Sequence, residues 1–380
     1  MKTSCPYCGQ HYEVDENFSG ETVNCQQCGK AFVIQQIDQS CSQNNNANTN
    51  VVESQKTAGV KQQAENAFRK TFKLDKLEGF SLSKIMRQVF KRHPWSEIED
   101  YMSLGTPKNT PSLVDVETKW PAPWLFLRAM LLSIGLYLFI IWRADFFGEF
   151  IVLPLLLIGV IGIPFASLLF FWEVNVPRNV SVISFARIMV ISGFVSAGIT
   201  LLIHKYITSP ENAIWAGPIE ETAKLLTMLF FIRNKAYKFK LNGLLIGAAV
   251  GAGFAIIETG GYTLRYESGT MELRALLSPF MHIPWSAIVG FALWRSKGQK
   301  SFAVSDLFSP KFIPLFLLSI GLHMFWNSKL LVDERLIKYG IVAAIEYIVI
   351  IYLIQEGINE VRRIKAEMVR NEQSSYGDCV

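Results

Sequence analysis

The sequence predicts an all-α polytopic membrane protein of about eight transmembrane helices, carrying a small N-terminal zinc-ribbon domain. Half of the 380 residues are hydrophobic, which is rich for a soluble chain of ordinary composition. That hydrophobicity is uneven: residues 1–119 are polar and charged, and a series of apolar runs follows. Two C-x-x-C pairs stand at the head of the chain. The net charge of +5 is mild and gives no argument for nucleic acid as a partner. In a membrane chain, the placement of basic residues says more than their sum.

Residues 1–34 read as the ribbon. Cys5, Cys8, Cys25 and Cys28 form two knuckles, and two such tight turns complete a tetrahedral structural zinc site closed by sulfur. Gly9 and Gly29 follow the second cysteine of each pair, where the turn needs a positive φ. Tyr12, Val14, Val23 and Phe32 supply so little core that folding relies on the metal. A redox pair is the competing reading, and the doubled spacing favours zinc. His11 reads as a surface residue, and Cys41 and Cys379 stand alone. Met1 to Gln10 lack the apolar core of a secretory signal, so the head is expected in the reducing cytoplasm.

Residues 35–66, rich in Gln, Asn and Ser, read as a flexible linker. Residues 67–119 read as a basic juxtamembrane helical segment, with Phe72, Ile85, Met86, Val89 and Phe90 set among lysines and arginines. Such a stretch suits the anionic inner leaflet, or equally a subdomain packed on the membrane bundle. Trp120 and Trp124 resemble an interfacial anchor.

The membrane domain is expected over 120–356, followed by a cytoplasmic tail over 357–380. Its apolar runs lie at 123–143, 149–171, 183–203, 213–232, 241–262, 276–294, 312–328 and 337–355. Basic residues gather after the fourth run (Arg233, Lys235, Lys238, Lys240), after the sixth (Arg295, Lys297, Lys300, Lys311) and in the tail. By the positive-inside rule these regions face the cytoplasm, and an even helix count places both termini there.

Ionisable residues inside membrane helices are expensive and mark function by default. Glu220, Glu221 and Lys224 lie in the fourth run, Glu258 in the fifth, His282 in the sixth, and His323 with Asn327 in the seventh. With the amino terminus inside, all of them fall at one depth, roughly 5–12 Å below the outer surface at about 1.5 Å of rise per residue. Glu220 and Lys224, four apart, can pair on one face. Glu221 points about 100° away from Glu220, which divides an orienting carboxylate from one that faces a water. A buried structural ion pair is the bland reading of Glu220 with Lys224, and a satisfied core residue that of each histidine. The shared depth argues against both. The glycine-rich fifth run reads as close helix packing, with room for an extended substrate strand as the alternative.

The ordered set E-E-x-x-K, F-x-x-x-E, H and H-x-x-x-N on successive membrane helices resembles the PrsW family, within the wider group of Abi/CAAX-type membrane endopeptidases. The resemblance covers 120–355 and leaves the ribbon as an added head. It implies an intramembrane endopeptidase that hydrolyses a peptide bond of a membrane-anchored protein near the outer face of the bacterial cytoplasmic membrane. It also implies a regulatory setting of the anti-sigma-factor kind. It puts the catalytic residues on Glu220, Glu221, Glu258, His282 and His323, with Lys224 pairing a carboxylate and Asn327 supporting. A catalytic metal is left open, because two histidines and several carboxylates can hold zinc or act without it. The resemblance favours the metal-free form. An ion-coupled transporter and a catalytically silent receptor or scaffold, with the ribbon binding a cytoplasmic protein partner, are the alternatives.

Overall fold

Ionisable side chains sit inside a bundle of helices whose outer surfaces are apolar, the reverse of a soluble core. The structure is a computed structural model and describes residues 2–6, 10–15, 18, 21–34, 63, 65–206, 213–265, 268–331 and 333–377; the side chains of 2, 4, 147, 149, 263–265, 268–272 and 372–377 fall outside that description. The chain divides into two compact units, Met1–Asn66 and Ala67–Val380.

The first unit contains two antiparallel hairpins. β1 (Lys2–Ser4) pairs with β2 (His11–Glu13), and β3 (Thr22–Asn24) with β4 (Ala31–Val33). The second hairpin turns where Cys25 N–H donates to Lys30 O at 2.9 Å and Gly29 N–H to Cys25 O at 2.8 Å. Gly29 has φ +71°, a conformation costly for any side chain with a Cβ. The Cys5 and Cys28 sulfurs lie 3.8 Å apart, and Tyr12 Oη is 3.1 Å from Cys25 Sγ. His11 is exposed on β2. Cys8, Gly9, Cys41, Cys379 and most of the expected linker lie outside the described residues.

In the second unit, α1 (Leu82–Phe90) and α2 (Trp95–Ser103) precede a helical bundle. The bundle comprises α3 (Leu125–Trp142), α4 (Val152–Glu173), α5 (Val182–Tyr206), α6 (Ala216–Phe231), α7 (Lys240–Arg265), α8 (Ser268–Leu277), α9 (His282–Lys297), α10 (Ile313–Asn327) and α11 (Arg335–Gly377). Each of the eight apolar runs is helical, yet among the described residues only 6 segments are long and apolar enough to cross a membrane. α6 and α10 have 16 and 15 residues. At about 1.5 Å per residue they span about 22–24 Å, short of a hydrocarbon layer of about 30 Å. The sixth run is also interrupted. Pro279 sits in a tight turn over Ser278–Phe280, Met281 leaves helical geometry at φ −135° and ψ −117°, and α9 starts afresh at His282. The expected cytoplasmic tail continues the last helix, since α11 runs unbroken for 43 residues.

α7 is the central helix, and its glycines decide what touches it. A Cβ on Gly243, Gly247 or Gly251 would lie 2.6, 2.1 or 2.2 Å from the carbonyl oxygens of Gly290, Ser286 or His282, all on α9. A Cβ on Gly253 would lie 2.0 Å from Met189 O on α5. Without a hydrophobic driving force between helices in lipid, such backbone contact is what holds them together. The packing reading of this run therefore holds for these four positions. Gly260 and Gly261 differ: a Cβ there would meet nothing within 4 Å.

At one end of the bundle, charged residues tie three helices. Glu356 of α11 accepts from Lys240 Nζ of α7 at 2.7 Å and meets Arg295 Nε of α9 at 3.1 Å. Arg295 also donates to the carbonyls of Phe72 and Lys73, and Gln355 accepts from Trp120 Nε1 at 2.8 Å and Glu78 N–H at 3.0 Å. The juxtamembrane segment is thus docked on the bundle, with Leu74, Val116 and Trp120 inside its main hydrophobic core. Glu173 caps α3: its carboxylate accepts the backbone N–H groups of Trp124, Leu125 and Phe126 at 2.8–3.0 Å and the Tyr101 hydroxyl at 3.2 Å.

Gly247→Ala is expected to destabilise the protein by about 1–3 kcal/mol through overpacking against α9, while Gly260→Ala is expected to change stability little. Thermal unfolding of both variants in detergent measures the difference.

Candidate functional site

Four helices deliver ionisable groups to the same end of the bundle, opposite the Glu356 ties. Glu220 is the fifth residue of α6, His282 opens α9, and His323 is fifth from the end of α10. Glu258 lies in the last turns of α7. Neighbouring helices run in opposite directions, so only this placement brings the groups together.

Each histidine has a carboxylate behind it. His323 Nδ1 is 2.9 Å from Glu221 Oε1, and His282 Nε2 is 2.8 Å from Glu258 Oε2, although the second contact is not aligned as a hydrogen bond. A carboxylate accepts and cannot donate when ionised, so the first contact puts a ring proton on His323 Nδ1; Lys224 Nζ, a donor 3.0 Å from His282 Nδ1, leaves the other ring's proton on Nε2. The other nitrogens, His323 Nε2 and His282 Nδ1, then carry lone pairs. Both face Glu220 Oε2, at 3.8 and 3.9 Å. That oxygen is buried and has no hydrogen-bond partner.

The carboxylates are in turn answered by cations. Lys224 Nζ donates to Glu221 Oε1 at 2.6 Å and to His282 Nδ1 at 3.0 Å, and lies 4.6 Å from the centre of the Phe254 ring. Arg274 Nη2 donates to Glu258 Oε2 at 2.5 Å. The Trp285 ring stacks on His323 at 4.5 Å between centroids, fixing the imidazole plane.

The sequence-derived residues are brought together with two corrections. Lys224 pairs with Glu221, three residues away, instead of Glu220; positions three and four apart share a helix face, and the neighbouring α9 and α10 decided which one the lysine meets. Asn327 is not in the cluster. Its side-chain amide donates to Ala213 O at 3.3 Å, bracing the turn that leads into α6. Arg274 was missed, because it precedes the sixth apolar run in what reads as a loop; α8 folds it back over Glu258. A cavity of about 630 Å³ between α5 and α7 is lined by Glu220, Glu258, Phe254 and Gly261, with Thr200 and His204 from α5. Neither of those α5 residues stands out in the sequence, although they occupy successive turns of one apolar helix.

Residues 177–354, which contain every member of this cluster, match the family described as PrsW family intramembrane metalloprotease. That match takes in just under half of the chain. Two curated proteins named Protease PrsW are similar to it. One, from Halalkalibacterium halodurans, is 29% identical over 108 residues, which is 27% of this chain and 50% of that protein. The other, from Clostridioides difficile, is 27% identical over 147 residues, 37% of this chain and 58% of that protein. The chain therefore spans only about half the length of the curated relatives it matches. No solved structure matches it.

The description of the matching family points to a metal, and the matched region offers a donor set for one. Glu220, His282 and His323 each present a ligand atom, all within 4.8 Å of one another. Two lone-pair nitrogens and an unpartnered carboxylate oxygen suit zinc, and carboxylates behind both histidines are the usual support for metal-binding imidazoles. Lys224 Nζ competes for His282 Nδ1. The metal-free preference drawn from the resemblance is thus the less supported form.

Removing Lys224 leaves Glu221, fully buried, without its cation. Lys224→Met is expected to cost about 3–5 kcal/mol of stability, as breaking a buried pair does. Lys224→Met/Glu221→Gln should recover much of that loss, measured by unfolding in detergent.

Proposed function

We propose that the protein is an intramembrane endopeptidase that hydrolyses a peptide bond of a membrane-anchored protein by means of a water activated at Glu220. One observation carries this reading: the unpartnered Glu220 Oε2 faces two imidazole lone pairs at the wall of a cavity open to the cluster. The similarity to proteins named Protease PrsW supports the same reaction class.

Glu220, His282 and His323 would hold the metal ion. Bound there, it would supply Lewis acidity that makes water nucleophilic and polarises the scissile carbonyl. The side chains do the remainder. Glu221 and Glu258 hold the far ring protons in place, which fixes the tautomers and aims both imidazoles at Glu220. Lys224 and Arg274 compensate those two carboxylates. Glu220 would hold the ion through Oε2, which leaves its other oxygen to take the proton lost by the water, because Glu258 Oε2 is already engaged by Arg274 and His282. Asn327 acts through the turn before α6 and is a positioning residue. The carrier and silent-scaffold alternatives gain no observation from this geometry.

The test is a comparison of membrane-protein termini in cells expressing wild type or Glu220→Ala. New termini near the ends of substrate helices, present only with wild type, are the expected result. Matching profiles with both proteins folded and abundant would sink the protease reading. Metal analysis of the purified protein bears on the cofactor: His323→Ala should retain less zinc at this site than wild type. Asn327→Ala should lower kcat moderately without loss of metal.

The same reading places the cluster near the outer face of the bacterial cytoplasmic membrane, with both termini inside and the site serving a regulatory cleavage of the anti-sigma-factor kind. Reporter fusions in the 233–240 loop should report a cytoplasmic position. The head is read as a zinc ribbon on Cys5, Cys8, Cys25 and Cys28, binding a cytoplasmic protein partner and no nucleic acid. The grouping of Cys5, Cys25 and Cys28 supports it. Cys5→Ser/Cys25→Ser should remove one equivalent of zinc and unfold the head while leaving the membrane domain intact.

A further inference from the structure

We propose that α1 and the groove beside it form a binding site for an anionic phospholipid, separate from the catalytic cluster. α1 is apolar over two adjoining arcs. At about 100° per residue, Ile85 and Val89 share one arc, and they are buried against Trp124. Leu82, Met86 and Phe90 share the next, and they are 66%, 40% and 77% exposed; Trp95, just beyond, is 71% exposed. A row of large apolar side chains at four-residue spacing, turned away from its own protein, is costly in water. In the boundary region of a bilayer it is stabilising.

The position of α1 puts that row where lipid begins. Arg128, in the first turn of α3, donates through Nε to Val89 O at 2.7 Å and through Nη2 to Lys91 O. The His93 ring stacks on Trp124, immediately before α3, at 3.8 Å between centroids. α1 is thereby fixed beside the start of a membrane span, whose Leu131, Leu132 and Leu136 are themselves exposed, and Leu82 and Met86 of its row line one groove with Leu127 and Met130 of α3.

A groove of about 250 Å³ runs from α1 down between α3, α4 and α11. Leu82 and Met86 form its upper edge, and Met130, Phe170 and Ile351 its depth. The polar groups in its wall are engaged: the Tyr347 hydroxyl donates to Pro279 O at 3.0 Å, and Ser167 lies against Tyr347. A slot so lined offers nothing to water and suits a hydrocarbon chain.

The charge above the slot selects the headgroup. Residues 80–93 include Lys84, Arg87, Lys91 and Arg92 and no acidic residue. These four side chains are exposed, and on the wheel Lys84, Arg87 and Lys91 lie on the side away from the apolar arcs. Long basic side chains of this kind reach along the surface to anionic headgroups while their helix lies flat. The site therefore takes one acyl chain in the groove, and the exposed basic side chains of α1, which lie outside its lining, attract the negatively charged phosphate headgroup. The inference rests on the membrane placement of α3 and is independent of the proposed peptidase chemistry.

The test uses the full chain, purified and then placed in nanodiscs of phosphatidylcholine with one quarter phosphatidylglycerol. Native mass spectrometry of the purified protein should find phosphatidylglycerol retained over phosphatidylcholine. Retention should fall several-fold in Arg87→Gln/Lys91→Gln and in Met130→Trp, which fills the groove. In the nanodiscs, brominated phosphatidylglycerol should quench more fluorescence in wild type than in Trp95→Phe. Equal retention of the two lipids, or retention unchanged in both variants, would overturn the site. So would quenching that Trp95→Phe leaves unaltered. Monodisperse chromatography of each variant, together with wild-type thermal stability, separates these outcomes from misfolding.

Discussion

Lys224 Nζ touches both Glu221 and His282, and the arrangement around it follows from the cost of burying charge. In an apolar bundle an unanswered carboxylate costs several kcal/mol, so each must find a cation or a set of donors. Lys224 answers Glu221, and Arg274 answers Glu258. Once these two are spoken for they can bind imidazole protons, and both rings turn their lone pairs inward. Of the three cluster carboxylates Glu220 is left without a lysine or arginine paired to it, and its Oε2 faces the two rings. The reactive geometry is therefore a remainder: it is what stays open after the surrounding charges are compensated.

The glycine stripe of α7 is the mechanical condition for that chemistry. Gly251 lies against His282 O, so the backbone of α9 approaches α7 as closely as helices can. At that distance the short reach of an imidazole spans the gap to Glu258, one helix away. A bulkier residue at Gly251 would press directly on the histidine that opens α9. Helix packing and the ionisable cluster meet here at one peptide unit, while the Glu356 ties hold the same two helices together at the far end.

Much of this was legible because ionisable residues are scarce in long apolar runs. Glu220, Glu221, Lys224, Glu258, His282 and His323 stood out for that reason, and antiparallel helices sharing one depth implied that they meet. The partners within the cluster were not legible. Helix spacing allows Lys224 to reach either glutamate, and only the neighbouring helices settle which. Asn327 sits one turn from His323 but just past the buried layer, so its amide found a backbone carbonyl instead. Arg274 was hidden because hydropathy assigns it to a connection, and the break at Pro279 that folds α8 over the site leaves no periodic trace. The docking of the juxtamembrane segment depends on single contacts, such as Trp120 with Gln355, that lie more than two hundred residues apart in sequence.

The shortness of α6 and α10 has a consequence for depth. A helix of 15 residues leaves about 8 Å of a hydrocarbon layer of about 30 Å unspanned. The bilayer can thin around it or water can enter beside it. Both short helices carry their cluster residue within about a turn of an end. A dent at that end brings the headgroup plane closer to the cluster. The depth of the cluster below that plane then varies with the thickness of the surrounding bilayer.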